Sequence, residues 1–377
     1  MSITVCKFGG SSVSDASMFV RVNRILQSDP DRKYIVLSAP GKRCPADEKI
    51  TDLLIRAHSM GCVGDHSILA QIFERYASIR DALAPDFDLE AEFTQIRANL
   101  CRSLDYVASR GEYLCAKLFA AYARLPFVDA TQLLFFDEAG QIDHAATVRA
   151  VRERLLPLGR AVIPGFYGVT TDGRVRTFTR GGSDVSGALL AAALGATLYE
   201  NWTDVDGLYT ADPNLVERPV RNLTVSLAQM ERISAAGARL LHPDALQPLH
   251  GTHIDTLLKN TFAPGAPGTR VSEDCTDPVR CVTGRRALYM LGDAGASSCG
   301  ENDVLLHALP LQGSVRVATV SAFGLTPAQL RRVEATIKPI HIIHMQDHIQ
   351  IIIPEMEYES VVRTVHHILV EGDGEES

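Results

Sequence analysis

The N-terminal part of the chain alternates short apolar runs with amphipathic segments. Residues 2–6 (SITVC) form a β-rich run, and residues 34–38 form a candidate for a buried strand. Between them, residues 14–15 can cap a helix that continues to about Gln27. A further helix is predicted from about 47 to 58. A strand, a glycine loop, a helix and a second strand in this order are typical of a parallel α/β sheet.

The middle of the chain continues this pattern after a helical interruption. Residues 60–108 have a mostly helical and polar pattern, which predicts an inserted helical subdomain or lid. An Ala- and Leu-rich helix is then predicted from Tyr113 to Arg124. Further strands are predicted at 126–128, 161–164, 198–202 and 253–258, with a tightly packed helix at 184–194.

The pattern changes beyond the turn-rich residues 261–268. Strands are predicted there at 287–291, 314–320 and 348–353, and helices at 327–337 and 357–369. Short strands with two helices indicate a small α+β domain of the βαββαβ type. We therefore expect a large α/β domain over 1–272, a small α+β domain over 273–370, and a disordered acidic tail over 371–377.

Composition narrows the class of protein. The 377 residues exceed what one hydrophobic core usually holds, which agrees with two domains. The net charge of −8 disfavours nucleic acid and anionic membranes as general partners. The sequence has no secretory signal pattern and no apolar run long enough for a membrane span, so we expect a cytoplasmic protein. The eight cysteines are scattered without a CxxC pair, and free thiols are expected.

Two glycine loops each follow a strand candidate and precede a helix candidate. The first is KFGGSS at 7–12, in which the glycines let backbone N–H groups approach phosphate oxygens and Lys7 adds a positive charge. The second is FTRGGSDVS at 178–186, in which Arg180 can grip a carboxylate or phosphate. Asp184 in this loop would either organise the reacting groups or cap the helix. Two cationic glycine loops in one domain favour a phosphate site over two ordinary turns.

Two further segments carry chemistry with weaker signals. The loop WTDVDGLYTADP at 202–213 follows a strand candidate, where α/β folds bind ligands, although Asp-Gly and Asp-Pro are also common in plain turns. The segment SRGE at 109–112 is predicted to place Glu112 at a helix N-terminus. There the carboxylate would favour the helix dipole, and it could equally bind the ammonium group of an amino acid.

Taken in order, these segments resemble the aspartate kinases of the amino-acid kinase family. The resemblance covers residues 3 to 271 and is carried by KFGGSSV (7–13), SAPGK (38–42), TDLL (51–54), SRGE (109–112), PGF (164–166), TRGGSD (179–184), WTDVDGLYTADP (202–213), GARLLHP (237–243) and NTFAPGAPGTRV (260–271). It implies a three-layer αβα amino-acid kinase fold with a mostly parallel central sheet, followed by a small ACT-like α+β domain.

The resemblance also implies an activity and a set of site residues. The activity is ATP-dependent phosphorylation of the side-chain carboxylate of L-aspartate, with Mg²⁺ accompanying the nucleotide and no residue assigned as a direct metal ligand. The catalytic residues would be Lys7, Arg180 and Asp184. The amino acid would be held by Thr51, Glu112, Arg180 and Ser183, with Glu112 toward its ammonium group and Arg180 toward its α-carboxylate. The nucleotide would be held by Lys7, Gly9, Gly10, Ser11, Thr203, Asp204, Tyr209 and Arg239.

The sequence departs from the family pattern at three positions in the kinase part. Arg239 stands where lysine is usual, Asn214 where arginine is frequent, and Thr179 where glycine is usual. The C-terminal part has the length of about one ACT module where aspartate kinases usually carry two. A degenerate packing or dimerisation domain is slightly favoured over a working effector site. We expect a homodimer or higher homo-oligomer assembled through this part.

Two other functions remain open at this point. One is a kinase for another carboxylate-bearing amino acid in a specialised pathway, because Glu112 and Arg180 imply only that an α-amino acid is bound. The other is a catalytically dead amino-acid sensor. Retention of Lys7, Arg180 and Asp184 argues against the sensor.

Overall fold

The computed structural model describes residues 2–61, 67–179, 181–238, 240–291, 306–307 and 314–370. Its helices are α1 (Ala16–Gln27), α2 (Ile50–Ser59), α3 (Ser67–Leu83), α4 (Leu89–Ala98), α5 (Leu104–Ala123), α6 (His144–Leu155), α7 (Gly182–Leu194), α8 (Leu227–Ala236), α9 (Pro327–Thr336) and α10 (Tyr358–Val370). Its strands are β1 (Thr4–Phe8), β2 (Arg32–Leu37), β3 (Phe135–Phe136), β4 (Ala161–Pro164), β5 (Tyr167–Thr170), β6 (Val175–Thr177), β7 (Leu198–Thr203), β8 (Thr224–Ser226), β9 (Asp255–Asn260), β10 (Thr269–Ser272), β11 (Cys281–Leu291), β12 (Leu306–His307), β13 (Ser314–Phe323), β14 (His341–His344) and β15 (His348–Pro354).

The chain divides into two compact units. The first contains the residues up to Asp206 together with Leu241–Glu273, and the second contains Gly207–Leu240 together with the residues from Asp274 onward. One division point therefore falls beside the boundary predicted at 272. The segment 207–240, which the sequence pattern assigned to the first domain, packs with the second unit. The domain assignment itself stays a prediction, and the acidic tail at 371–377 lies outside the described residues.

The first unit is built on a mostly parallel sheet. Its strands lie in the order β4-β2-β1-β7-β9-β10. The pairs from β4 to β9 are parallel, and β10 is antiparallel to β9. The first unit also contains a small three-stranded sheet with the strand order β3-β5-β6. The predicted α/β class with a mostly parallel sheet is confirmed, because crossover helices connect strands that run in one direction.

Alternation along β1 separates the two faces of this sheet. Cys6 and Phe8 belong to a buried cluster that also holds apolar residues of α1, α2, α3, α4 and α5. Phe8 stacks on Trp202 of β7, with ring centroids 5.7 Å apart. Lys7 points to the opposite face, toward α7, because successive side chains of a strand alternate. Helices therefore cover both faces, which gives the three layers that the resemblance implied.

Several predicted elements are displaced in the structure. The helix predicted from Tyr113 begins nine residues earlier, at Leu104, where the Ser103 hydroxyl accepts a hydrogen bond from the Tyr106 N–H. The strand predicted at 126–128 is reduced to one bridge between Phe127 and Val162. Residues 60–108 are helical in their described part, as predicted, and form α3, α4 and the start of α5.

The second unit is an antiparallel sheet with two helices packed on it. The strand order is β12-β11-β13-β15-β14, and every neighbouring pair is antiparallel. Apolar side chains of the sheet, such as Val320 and Ile351, share a core with Val333 of α9 and Val362 of α10. The predicted α+β class of this module is confirmed. The strand order differs from βαββαβ, because the sheet position beside β13 is filled by β11, which precedes it in the chain.

Two predictions about the whole chain can be compared with the structure. Cys101 is disulfide-bonded, so the expectation of free thiols throughout is wrong at this position, because spacing along the chain does not reveal which thiols a fold brings together. The described cysteines that are free are Cys6, Cys44, Cys115, Cys275 and Cys281. Among the described helices, none has the length and apolar character needed to span a bilayer.

Candidate active site

The centre of the site is a contact between the first strand and the second glycine loop. Lys7 is the penultimate residue of β1, and its Nζ lies 2.5 Å from Asp184 Oδ1. Both side chains are largely buried, with exposed fractions of 9% and 15%. The Asn201 amide donates to the same Asp184 oxygen at 2.8 Å. Three polar groups from three elements thus meet above the carboxyl ends of β1 and β7.

The structure separates the two roles open to Asp184. The N-cap of α7 is Gly181, in the left-handed region at φ 59°, and no side chain caps the helix there. Asp184 lies in the first turn, and its carboxylate faces Lys7 and Asn201. The alternative that Asp184 serves as the N-cap is therefore wrong. Its charge is still favoured by the helix dipole at this position.

Asn201 is a site residue that the sequence interpretation missed. It lies beside Lys7 in the parallel register of β1 and β7, and 1% of its surface is exposed. A buried side-chain amide in a central strand must find hydrogen-bond partners, and here one partner is Asp184. The available signal was a lone Asn within an otherwise buried strand pattern.

The first glycine loop leaves room beside the Lys7 ammonium group. A Cβ added at Gly9 would lie 3.5 Å from Lys7 Nζ, an ordinary contact distance, so it would fill space beside the ammonium group that glycine leaves free. Gly10 lies against the loop after β2, because its carbonyl accepts from the Gly41 N–H at 2.8 Å. A Cβ at Gly10 would be 2.9 Å from the Ala39 carbonyl oxygen. Ser11, the remaining predicted phosphate contact, is half-buried in the short turn that follows.

Glu112 lies in the interior of α5, two turns beyond its first residue. The prediction that it sits at a helix N-terminus is wrong, because the helix begins at Leu104, and so the helix dipole does not explain it. Glu112 is 5% exposed, and its Oε2 has no hydrogen-bond partner among the described residues. Burial raises the pKa of Glu112 to about 8, against the lowering effect of the Ala39 N–H and of the charges on Arg110 and Lys7. A buried carboxyl with one unpaired oxygen is suited to receiving a cation.

The remaining predicted substrate residues begin two helices of the first unit. Thr51 lies in the first turn of α2, and the first residue of this helix, Ile50, packs against Gly111 of α5. Ser183 lies in the first turn of α7 and packs on Gly165, where an added Cβ would be 2.7 Å from the Ser183 Cβ. The helix that carries Thr51 thus contacts α5 beside Glu112, and the helix that carries Ser183 contacts Lys7 through Asp184.

The loop after β7 begins with predicted nucleoside residues of the first unit. The Thr203 hydroxyl donates to Asp204 Oδ1 at 3.1 Å, and the Thr203 carbonyl accepts from the Thr261 N–H at 2.9 Å. Thr261 also shares a 2.6 Å hydrogen bond with Ser12 of the first glycine loop. The end of β9 therefore joins the phosphate loop to the start of the nucleoside loop.

Tyr209, the third predicted nucleoside residue, lies in the second unit, where it pairs with Arg221. Its neighbour Thr210 shares a 2.9 Å hydrogen bond with His366 of α10. The Thr210 carbonyl accepts from the Val282 N–H of β11 at 2.7 Å. The loop that carries Tyr209 is thus anchored to the C-terminal sheet and to its last helix.

Two predicted site residues, Arg180 and Arg239, lie outside the described residues. Of the other departures from the family pattern, Thr179 is exposed, and Asn214 donates its backbone N–H and its side-chain amide to Asp212 Oδ1, both at 2.9 Å. Asn214, at the position where arginine is frequent in the family, therefore stabilises this turn.

A divalent cation such as Mg²⁺ needs oxygen ligands at the site. The described residues contain no group of three or more His, Cys, Asp or Glu side chains that could hold a metal ion. Mg²⁺ usually keeps several waters and binds through one or two carboxylates and substrate phosphates. Asp184, beside Lys7, is a carboxylate that could take part in this mode.

Comparisons with known proteins show the family and the fold of the chain. Residues 2–260 match the family model described as the amino acid kinase family. The chain is 38% identical over 288 residues to Aspartokinase 3 of Bacillus subtilis, which covers 71% of this chain and 63% of that protein. The crystal structure of the aspartate kinase of Clostridium acetobutylicum matches with a TM-score of 0.80 at 28% identity, covering 99% of this chain and 100% of that one. The structure of aspartokinase III of Escherichia coli with aspartate and ADP has a TM-score of 0.81 at 23% identity over 98% of this chain and 100% of that one, which shows a shared fold.

Proposed function

The chain belongs to the amino acid kinase family, and we propose that it transfers the γ-phosphoryl group of ATP to the side-chain carboxylate of L-aspartate, forming 4-phospho-L-aspartate and ADP. The chain matches 63% of the length of the Bacillus subtilis relative. The activity is therefore argued from the residues of the site in this chain. The observation that carries the proposal is the pairing of two features in one unit. A lysine held by Asp184 beside open glycine backbone suits phosphoryl transfer, and a buried carboxyl with one unpaired oxygen suits an α-ammonium group.

The chemistry requires little covalent assistance from the protein. An aspartate side chain is ionised at neutral pH and is already a nucleophile. The obstacle is repulsion between this anion and the triphosphate, which fixed positive charges and N–H donors offset. Lys7 would stabilise the transferred phosphoryl group, and Asp184 with Asn201 would hold the lysine in place. No phosphorylated enzyme is needed.

The substrate roles follow the same logic. Glu112 would accept the ammonium group, while Thr51, Ser183 and Arg180 would hold the carboxylate end and fix the distance to the γ-phosphate. Gly9, Gly10 and Ser11 would line the phosphates. Thr203 and Asp204, at the end of β7, would hold the nucleoside.

Mg²⁺ would be brought to the site on the nucleotide phosphates. When bound, it neutralises charge on the β- and γ-phosphate oxygens. Asp184 is the carboxylate of this chain that would face it, directly or through water. Lys7 would still be the group that stabilises the negative charge on the transferred phosphoryl group.

A direct test combines two readouts on the purified protein. ADP release is measured with Mg-ATP and a panel of amino acids, and hydroxylamine is added to trap an acyl phosphate as a hydroxamate. We expect ADP and hydroxamate to form in equal amounts with L-aspartate. ADP formation without hydroxamate would mean that water is the acceptor, and a larger specificity constant for another amino acid would support a kinase of a different pathway. An absence of turnover with every amino acid, together with binding of L-aspartate, would favour the sensor.

A further inference from the structure

The helical insertion shares the main core of the first unit. The inner side chains of α3, including Ile72 and Tyr76, belong to the same buried cluster as Phe8 of β1. Phe93 of α4 joins this cluster and packs edge-on against Tyr76. A lid predicted from the sequence would need its own exposed hinge and a separable apolar face. Instead, the insertion is built into the wall behind the proposed active site.

Arg75 of α3 holds the loop that supports the first glycine loop. Its guanidinium donates to the Glu48 carbonyl at 2.7 Å and to the Gly41 carbonyl at 2.5 Å. The Gly41 N–H in turn donates to the Gly10 carbonyl at 2.8 Å. Asp47 lies 3.6 Å from the same guanidinium and balances its charge. Two hydrogen bonds in series therefore connect α3 to the residues proposed to line the phosphates.

A buried arginine at this place is costly for folding alone. Arg75 is 5% exposed, and burial lowers its pKa, although a guanidinium remains charged in proteins. Apolar residues of similar volume usually pack a core at least as well as buried charges. The two carbonyls that Arg75 reaches lie in the loop between β2 and α2, where no strand or helix can satisfy them. The side chain is thus suited to holding this loop in one shape.

Tyr76, the next residue, reaches the other half of the site. Its hydroxyl donates to the Gly111 carbonyl of α5 at 2.7 Å, directly before Glu112. The ring is completely buried, and burial raises the pKa of the Tyr76 hydroxyl, so the group stays protonated and remains a donor. Gly111 itself is packed against Ala39, because an added Cβ would lie 2.8 Å from the Ala39 Cβ. The backbone of Ala39 also donates to Glu112.

We propose that Arg75 and Tyr76 are positioning residues, Arg75 for the phosphate side of the site and Tyr76 for the amino-acid side, so that α3 sets the spacing between the two substrates. The proposal deepens the proposed function and rests on it. Neither side chain has to touch a substrate. Arg75 holds the Gly41 and Glu48 carbonyls, and Gly41 in turn bonds Gly10. Tyr76 holds the Gly111 carbonyl, directly before Glu112.

The test compares three variants of the intact protein with wild type. Arg75→Gln should raise KM for Mg-ATP about tenfold or more, because hydrogen bonds from a charged group are lost, while KM for L-aspartate changes little. Tyr76→Phe removes one oxygen atom and should raise KM for L-aspartate about threefold to tenfold at an unchanged KM for Mg-ATP. Glu74→Ala, at an exposed position of the same helix, is the matched control and should leave both constants unchanged.

The opposite split of the two KM values is the decisive result. If both variants change kcat alone, or change both KM values in parallel with a lowered melting temperature, the two residues are structural and the proposal is overturned. Should Arg75→Gln not fold, Arg75→Lys takes its place. Lysine keeps the charge but lacks the planar fork that reaches both carbonyls, so KM for Mg-ATP should again rise while KM for L-aspartate changes little. Failure of the proposed function looks different, because wild type itself would then form no acyl phosphate from L-aspartate.

Discussion

Lys7 Nζ and Asp184 Oδ1 are 2.5 Å apart, although 177 positions separate the two residues in the chain. The contact exists because β1 and β7 are parallel neighbours and α7 leads directly into β7. Parallel strands bring their carboxyl ends to one edge of the sheet, where loops from distant parts of the sequence meet. Asn201 donates to the same Asp184 oxygen and so restricts its rotation. The ammonium group of Lys7 is therefore oriented before any substrate arrives.

The Lys7–Asp184 contact predicts that Lys7 acts in the chemical step. Lys7→Met should lower kcat by about two to three orders of magnitude, because a fixed charge at the transferred group is lost. Nucleotide should still bind measurably, since glycine N–H groups and the nucleoside loop remain. Steady-state kinetics and calorimetric titration with a nonhydrolysable ATP analogue separate the two effects. Lys338→Met, at an exposed position of the second unit, is the control; near-normal turnover of Lys7→Met would contradict the assignment.

Because Glu112 is a buried carboxyl, the free energy of unfolding of the protein should fall as the pH rises. Its pKa in the folded protein is about 8, above the unfolded value of 4.5, so the folded state binds more protons between these limits. Stability therefore falls with rising pH in this window. Glu112→Gln removes this titration. The difference in the free energy of unfolding, variant minus wild type, should therefore increase by about 1.4 kcal/mol per pH unit between pH 4.5 and 8. Urea unfolding at several pH values measures this difference.

Asp15→Asn is a control, because the pKa of Asp15 is lowered in the folded protein whereas that of Glu112 is raised. Asp15 caps α1 by accepting the N–H groups of Ser17 and Met18. Partial burial acts to raise the pKa of Asp15, but hydrogen bonds from the Ser17 hydroxyl, these N–H groups and the Ser14 hydroxyl outweigh it and lower the pKa below 3.8. Its contribution to stability is present above pH 3.8 and is lost as the pH falls below that value. Between pH 4.5 and 8 the variant should therefore run parallel to wild type. A flat difference for Glu112→Gln as well would show that Glu112 is ionised in the folded protein.

The local signals in the sequence predicted much of this site. The strand, glycine loop and capped helix around Lys7 appear as predicted, because a cap, an apolar period and a Gly-Gly turn are encoded within a few residues. The sequence interpretation placed Glu112 at a helix N-terminus, whereas the helix begins at Leu104, after the Ser103 cap. Gly111 is there because Ala39 packs against it. That contact joins distant segments, and no local pattern reports it.

The interactions that hold the site together were equally hidden. Asn201 and Arg75 act through partners far away in the sequence, Asp184 and the Gly41 carbonyl respectively. The position of β11 beside β13 could not be predicted either, because strand order depends on pairing between segments and not on alternation within one. Periodicity identifies elements, whereas the choice of neighbours is a tertiary property.

The site also predicts an order of substrates. In the proposed function Glu112 would fix the ammonium group, so the second carboxylate of the substrate would reach the γ-phosphate from a set distance. Glutamate is one methylene longer, and its misplaced carboxylate should cost orders of magnitude in rate. Succinate lacks the amino group and would leave Glu112 buried without its cation, costing roughly 1–3 kcal/mol or more. Specificity constants at saturating Mg-ATP should therefore favour L-aspartate over both, and a preference for L-glutamate would remove the aspartate assignment.

Binding of L-aspartate should release a proton from Glu112. At pH 7 a carboxyl with a pKa of about 8 is mostly protonated, whereas an ammonium group at hydrogen-bonding distance favours the carboxylate and lowers this pKa. The proton must then leave to the buffer, in an amount of about one per site at pH 7 and less above pH 8. For the same reason the apparent affinity for L-aspartate should rise about tenfold per pH unit below pH 8 and then level off.

Calorimetry in two buffers measures this release directly. Titration of L-aspartate in phosphate and in Tris at the same pH gives two binding enthalpies. They differ by the number of protons released times the difference between the ionisation enthalpies of the two buffers. Succinate has no ammonium group and should bind without this buffer dependence, and Glu112→Gln should lose it for L-aspartate. Equal enthalpies in the two buffers for wild type would mean that Glu112 does not meet the ammonium group. The unpaired Oε2 would then need a different partner, and the substrate order argued from Glu112 would lose its basis.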